Sequence, residues 1–116
     1  MISQAAVSIP TALYGELWVS LASLLRSYTA LHGLNHKQQA TVELGEDVIT
    51  VRAGEKWLRL ARHEGEIAWS REDESKGLMR FTIQGSLLTH VGDEDLEDVE
   101  EEMDMRAESW ARELMQ

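Results

Sequence analysis

Carboxylate side chains are the groups in this sequence whose number and spacing most clearly suggest chemistry. The segment from Asp93 to Asp104 holds nine acidic residues in twelve positions. Clustered carboxylates can bind Ca²⁺ or Mg²⁺, because these hard cations prefer several oxygen ligands. The segment lacks the alternating acids and the central glycine of a calcium-binding loop. Our first interpretation is therefore a solvated helix face, and the alternatives are a docking face for a basic partner and a metal site.

The histidines and the common catalytic motifs point less clearly to a function. His32 and His36 have the spacing of a helical metal-binding pair, but Gly33 between them indicates the end of a helix. The sequence contains no phosphate-binding loop, dinucleotide fingerprint or nucleophile elbow. We therefore expect a protein that is not an enzyme. A small-ligand-binding or catalytic pocket between sheet and helices, using His63 or His90, is a further alternative.

Length and composition limit the class of protein. The chain has 116 residues, of which 43% are hydrophobic, enough for one core and not for two. It has no cysteine, which fits a reducing compartment. No basic residue precedes Arg26, so the sequence lacks the positively charged start that a secretory signal requires. The net charge of −10 argues against nucleic acid as a partner, and no apolar run is long enough to cross a membrane. We expect one cytoplasmic domain over residues 1–116, with a flexible N-terminus at residues 1–9.

Two segments carry apolar residues at helical spacing. The first runs from residue 13 to residue 31, with Pro10 suited to its first turn and Gly33 to its end. The second carries an apolar stripe from residue 96 to residue 114, on which Val99 is one of the early positions. We expect a helix at each end of the chain.

Three glycine-containing turns separate strand-like runs in the middle of the chain. Gly45-Glu46, Gly54-Glu55 and Glu64-Gly65 each predict a two-residue hairpin loop. These loops would place Val42 opposite Ile49, Ile49 opposite Leu60, Val51 opposite Leu58, and Leu60 opposite Trp69. All of these side chains then share one face, and a slip of one residue in any hairpin would turn that strand over. Further strands are predicted at residues 79–83 and 87–90.

The predicted order is a helix, an antiparallel meander of five or six strands, and a second helix. Each helix has one apolar stripe, and the sheet has one apolar face that needs to be covered. We therefore predict an α+β fold, a two-layer sandwich with both helices on the same face of the sheet.

The predicted register also identifies the side chains that point away from the helices. They are Thr41, Glu43, Thr50, Arg52, Trp57, Arg59, Ala61, Ala68, Ser70, Arg80, Thr82 and Gln84. Arg52 stands opposite Trp57, and the face is mildly basic. The simpler interpretation is a surface cation–π pair between these two residues. The alternative is an interaction surface, because Trp and Arg are the usual anchors of interfaces; its candidate partner-binding residues are Arg52, Trp57, Arg59 and Arg80.

The layout resembles that of the frataxin family, and three short segments are similar to that family's motifs. Asp47–Val51 resembles its early hairpin strand, Gly65–Ser70 its central strand with a tryptophan, and Gly92–Leu96 its turn into the last helix. The resemblance implies a frataxin-like fold and iron binding by acidic residues of the first helix and the adjoining strand edge. The first helix here offers only Glu16. The candidate ligands for iron or another divalent metal are therefore Glu43, Glu46, Asp47, Asp93 and Glu94.

These observations lead to two main hypotheses for the function. Residues 93–116 carry a net charge of −9 and residues 1–92 carry −1, so the molecule is expected to be electrically two-sided. We first expect a non-enzymatic protein-interaction or adaptor module without a cofactor, which binds a protein partner or a second copy of itself through the open sheet face. The alternative is a frataxin-like protein that binds iron or another divalent cation.

Overall fold

The computed structural model describes residues 9–34, 39–90 and 98–116. Two helices and seven strands lie in these ranges. They are α1 (Thr11–His32), β1 (Thr41–Leu44), β2 (Val48–Ala53), β3 (Lys56–His63), β4 (Glu66–Arg71), β5 (Lys76–Phe81), β6 (Leu87–His90), β7 (Asp98–Glu101) and α2 (Met103–Leu114).

The seven strands form one antiparallel sheet in chain order, so each strand pairs with its neighbours in the sequence. This confirms the predicted α+β fold of helix, meander and helix, with seven strands instead of five or six. Two predicted hairpin loops are confirmed, since Ala53 lies opposite Lys56 and His63 lies opposite Glu66. The predicted pairs Ile49–Leu60, Val51–Leu58 and Leu60–Trp69 form.

The β1–β2 turn differs from its prediction by one position. The Gly45 N–H donates to the Val48 carbonyl over 2.8 Å, so the loop residues are 46 and 47. A Cβ on residue 45 would lie 2.9 Å from the same carbonyl oxygen, which explains why glycine closes this turn. Val42 consequently pairs with Val51 and not with Ile49. Moving the turn by one residue changes the register by two, and the apolar side chains keep their predicted face.

The segment before the last helix differs most from its prediction, because residues 98–101 form a strand. Val99 lies opposite Thr89 and is 47% exposed, instead of lying on a buried helical stripe. The strand pairs with β6, whose outer backbone groups would otherwise form an open edge. A helix would place these carboxylates three and four residues apart, where like charges destabilise it. Leu96 lies outside the described residues.

Both helices pack on the inner face of the sheet around one hydrophobic core. Its largest buried side chains are Trp18, Leu21, Leu25, Ile49, Val51, Leu58, Leu60, Ile67, Leu87, Trp110 and Leu114. Each such aliphatic side chain stabilises the fold by about 1.5–3 kcal/mol. Pro10 and Gly33 flank α1 as predicted, although Leu31 is exposed because Thr29 occupies the buried side of the last turn. Ile83, predicted to end a strand, lies beyond β5 and is exposed.

Neither helix within the described ranges is long and apolar enough to cross a membrane.

Candidate functional site

The uncovered face of the sheet brings together the predicted partner-binding residues. Arg52 and Trp57 are cross-strand neighbours, and Arg59 lies opposite Ser70. Arg80 alternates with the buried residues Met79 and Phe81, so its side chain leaves the sheet on the same side. We call the outward side of strands β2 to β5 the outer sheet face. It consists of Val48, Thr50, Arg52, Trp57, Arg59, Ala61, His63, Glu66, Ala68, Ser70, Lys76, Leu78 and Arg80.

The outer sheet face is positively charged on a chain that is strongly negative overall. It carries four basic residues, Arg52, Arg59, Lys76 and Arg80, and one acidic residue, Glu66, which gives a net charge of +3. The chain as a whole carries −10. Helix α2, which carries three acidic residues and two arginines, packs against the opposite face of the sheet. The positive charge is confined to strands β2 to β5, because Glu43 on β1 and Glu100 on β7 point to the same side of the sheet near its two edges.

An apolar row crosses the centre of the outer sheet face. Val48 lies opposite Ala61, Ala61 opposite Ala68, and Ala68 opposite Leu78, so the row spans four strands. Arg59 and the other members of the adjacent row supply polar and basic groups beside it. An apolar centre with a polar rim is the usual composition of a protein interface.

Trp57 is held by its backbone and does not stack on Arg52. Its N–H donates to Glu72 Oε1 over 3.0 Å, and its carbonyl accepts from Arg71 Nε over 3.2 Å. Among the described residues, the arginines stacked on aromatic rings are Arg62 and Arg106. The cation–π pair expected between Arg52 and Trp57 is therefore not found, and the Trp57 indole is half-buried at one corner of the outer sheet face.

The bonds to Trp57 come from a cluster of charged side chains around the buried Arg71. The Arg71 side chain is 7% exposed and points to the inner face, where its guanidinium lies 2.8 Å from Glu113 and 3.2 Å from Glu72. Burial raises the pKa of Glu72, but the bonds from the Trp57 N–H and from Arg71 outweigh it, so that this pKa lies below its ordinary value. The cluster joins β3, β4 and α2 and fixes the backbone that carries Trp57.

A groove opens where the start of α1 meets one end of the sheet. Its volume is about 750 Å³. The lining residues come from α1, from the β1–β2 and β3–β4 turns and from β5: Ile9, Thr11, Tyr14, Gly15, Asp47, Arg62, His63, Glu64, Gly65, Arg80 and Phe81. We call this cavity the α1 groove. It is a pocket between helix and sheet that contains His63, as the small-ligand alternative requires.

The sequence patterns did not identify Tyr14 and Arg62, although both line the α1 groove. Arg62 follows Leu58 and Leu60 at an inward position of β3, where alternation calls for an apolar residue. The only feature of the sequence that could have identified Arg62 as a site residue is its charge at an inward position beside a turn. Its guanidinium carbon lies 5.2 Å from the Tyr14 ring centroid and 5.0 Å from that of Trp18.

The predicted metal ligands lie on different parts of the molecule. Glu43 points outward from β1, whereas Glu46 and Asp47 form the exposed β1–β2 turn. Asp47 lies 3.6 Å from Arg62. Asp93 and Glu94 are outside the described residues. Within residues 9–34, 39–90 and 98–116, no group of three or more acidic or histidine side chains is placed to hold a metal ion.

Several acids of the C-terminal segment have partners within the molecule. Glu108 lies 3.0 Å from Arg112, four residues further along α2, and 2.8 Å from His32. Arg106 lies 3.4 Å from Glu101, the last residue of β7. These acids thus join α2 to α1 and to β7, in addition to facing solvent. His36 lies outside the described residues.

The chain was compared with protein-family models, with curated proteins and with solved structures, and it matches none of them. The resemblance to frataxins and the iron binding that it implies stay predictions.

Proposed function

We propose that this protein is a protein-interaction module, and that an acidic segment of a partner protein docks on the outer sheet face. The observation that carries this proposal is the net charge of +3 around an apolar row, on a chain whose overall charge is −10. No cofactor takes part. The chain has no cysteine, which suits a reducing compartment, and we place this binding in the cytoplasm.

Charge decides which partner the outer sheet face favours. Two copies meeting face to face would oppose +3 with +3, and like charges across an interface are unfavourable. An acidic segment meets opposite charge there instead. At physiological ionic strength the Debye length is about 8 Å, so the acids on the helix side of the molecule are largely screened from a partner on the outer sheet face.

Trp57 and Arg59 are the expected anchors of this contact. They lie on the same side of β3, two residues apart, next to the apolar row formed with Ala61. Trp and Arg side chains contribute most of the binding energy in many interfaces. The Arg71 cluster holds the Trp57 backbone in place, so this residue is ordered before a partner binds.

Peptide binding by the full chain tests the proposal. The probes are three short fluorescent peptides with leucine at the same positions. The other positions are all Glu in the first peptide, all Gln in the second and all Lys in the third. We expect the Glu peptide to bind best and the double variant Arg52→Glu/Arg59→Glu to weaken it at least about tenfold, or 1.4 kcal/mol. Trp57→Ala, which leaves the charge unchanged, should also weaken binding by about that factor.

The double variant Arg26→Glu/Arg112→Glu is the matched control, because it makes the same change in net charge on the helices. We expect it to bind the Glu peptide nearly as well as the wild type. Equal weakening by both double variants would mean that only bulk charge matters, and would overturn the proposal. A dimer of the unliganded protein in sedimentation, lost in Arg52→Glu/Arg59→Glu, would instead assign the face to a second copy.

A further inference from the structure

The α1 groove has the size of a small-molecule site and an unusual set of polar groups in its wall. Its volume of about 750 Å³ falls within the range of about 300–1,000 Å³ that such sites occupy. The first turns of α1, the end of β3 and the end of β5 meet here. This cavity shares His63 and Arg80 with the outer sheet face, but Arg52, Trp57 and Arg59 do not line it.

Tyr14 brings a buried hydroxyl to this cavity. The oxygen is shielded from solvent and has no hydrogen-bond partner in the described part of the chain. The ring packs edge to face against Phe81, with centroids 5.2 Å apart. Burial raises the pKa of Tyr14, and Arg62 offsets this in part, so the phenol keeps its proton at neutral pH. A buried hydroxyl without a partner is unfavourable, and an acceptor group from a ligand would relieve it.

Arg62 supplies a positively charged group in a fixed plane. Its side chain is 22% exposed and its guanidinium stacks on the rings of Tyr14 and Trp18. The Nε atom lies 3.6 Å from Asp47, too far for a good hydrogen bond. A guanidinium whose plane is fixed can donate two N–H groups to the oxygens of one carboxylate or phosphate.

The start of α1 adds a third favourable element. Pro10 precedes the helix without a side-chain cap, and the first turn contains no acidic residue. The first N–H groups of the helix therefore lack intrahelical partners at its positive end. The acids that line the groove, Asp47 and Glu64, are mostly exposed and lie near Arg62 and His63. The donors thus lie at the wall, and the carboxylates lie at the rim.

We propose that the α1 groove binds a small molecule through an oxyanion group, a carboxylate or a phosphate, which accepts hydrogen bonds from the Arg62 guanidinium and the Tyr14 hydroxyl. Arg62 supplies the charge and Tyr14 the neutral donor, while the rest of the ligand fills the cavity beside Phe81. The Tyr14 hydroxyl is closed to solvent, so a side chain of the groove wall moves slightly when the ligand binds.

Calorimetric titration of the full chain tests this site with four probes: inorganic phosphate, phenyl phosphate, benzoate and uncharged phenol. We expect saturable binding of phenyl phosphate or benzoate with one ligand per chain. Inorganic phosphate should bind more weakly, because it leaves the apolar part of the groove empty. A preference for phenyl phosphate would assign a phosphate ligand, and a preference for benzoate a carboxylate.

Tyr14→Phe removes only the hydroxyl and is the central variant. We expect it to weaken binding of the preferred anion by about tenfold. Its thermal stability without ligand should stay the same or rise, because the hydroxyl has no partner. Tyr28→Phe is the matched control on the same helix and should leave the affinity unchanged. Arg62→Lys, which keeps the charge and loses the planar fork, should also weaken binding.

Three results would overturn the proposal. They are the absence of saturable binding by any of the anions, equal binding of phenol, and an affinity that Tyr14→Phe leaves unchanged. These variants leave Arg52, Trp57 and Arg59 in place, so a failure here is distinguishable from a failure of the outer sheet face to bind peptides.

Discussion

Gly77 makes room for Trp69 on the neighbouring strand, which in turn packs edge to face on Trp110 with centroids 5.9 Å apart. A Cβ at residue 77 would lie 2.7 Å from Trp69 Nε1. We expect Gly77→Ala to lower the free energy of unfolding by about 1–3 kcal/mol, because the indole must move out of its packing position. Urea denaturation measures this change.

Gly15→Ala is the matched control for that substitution. A Cβ there meets no atom within 4 Å, and the residue lies inside α1. Alanine is the better helix former, so stability should rise by up to about 1 kcal/mol. A Gly77→Ala variant as stable as the wild type would contradict the packing of Trp69 described above.

The lowered pKa of Glu72 predicts that the stability of the fold depends on pH. The folded-state pKa of this residue lies below the ordinary 4.5. Its contribution is therefore complete above that value and is lost as the pH falls through the folded-state pKa. We expect Glu72→Gln to be less stable than the wild type by about 1 kcal/mol at neutral pH, a modest effect for a partly exposed group. Below pH 4.5 the difference should shrink, because the wild-type side chain then loses its charge.

Urea denaturation of both proteins at a series of pH values measures the effect of Glu72→Gln. A stability difference of the same size at every pH would show that the charge of Glu72 contributes nothing.

Arg71 and Arg62 show why the inner-face residues of the two sites could not be predicted. Strand alternation assigns inward positions to apolar residues, and a buried guanidinium is stable there only with suitable partners. Arg71 donates a hydrogen bond to Glu113, which is 42 residues away in the sequence. Arg62 stacks on the rings of Tyr14 and Trp18 on α1. Such partners become neighbours only through the tertiary fold, whereas Arg52 and Trp57 follow from one hairpin turn.

Among the elements, α1 and the β2–β3 and β3–β4 hairpins could be predicted, because their patterns are long or are fixed by the turns. Strand β7 could not be predicted. Its four residues, Asp98–Glu101, continue the helical spacing of the following segment, and nothing local marks the boundary at Glu102. The strand depends on β6 and on bonds from Ser86 to Glu100 and from Thr89 to Glu101.

Substitutions of the neighbouring residues Glu101 and Glu102 test whether residues 98–101 form a strand or continue the helix. Glu101 accepts from Thr89 over 2.8 Å and lies 3.4 Å from Arg106, whereas Glu102 precedes α2 without a side-chain cap. We expect Glu101→Ala to lower the free energy of unfolding by about 1–2 kcal/mol, and Glu102→Ala to change it by no more than about 0.5 kcal/mol. Urea denaturation measures both changes. In a continuous helix Glu102 would pair with Arg106, and the order of the two effects would be reversed.

At the scale of the whole molecule, the basic residues of β2 to β5 lie together on the face of the sheet that the helices leave uncovered. The inner face carries the core and both helices, and the outer sheet face carries a net charge of +3 over β2 to β5, with Glu43 and Glu100 nearer the edges of the same side. The acids near α2 are partly used for internal ion pairs, such as Glu108 with His32. The basic groups Arg52 and Arg59 have no such partners in the described part of the chain, which leaves them available for a binding partner.

The most direct test of the proposed function is a titration of the isotope-labelled full chain with the Glu peptide, followed by amide and indole NMR shifts. The result we expect is a saturable set of changes confined to the outer sheet face, including the Trp57 indole N–H and the amides of Arg52, Arg59 and Ser70. Changes that map instead to α2 or to Tyr14 and Arg62 in the α1 groove, or the absence of saturable changes, would contradict the proposal that the outer sheet face binds an acidic partner.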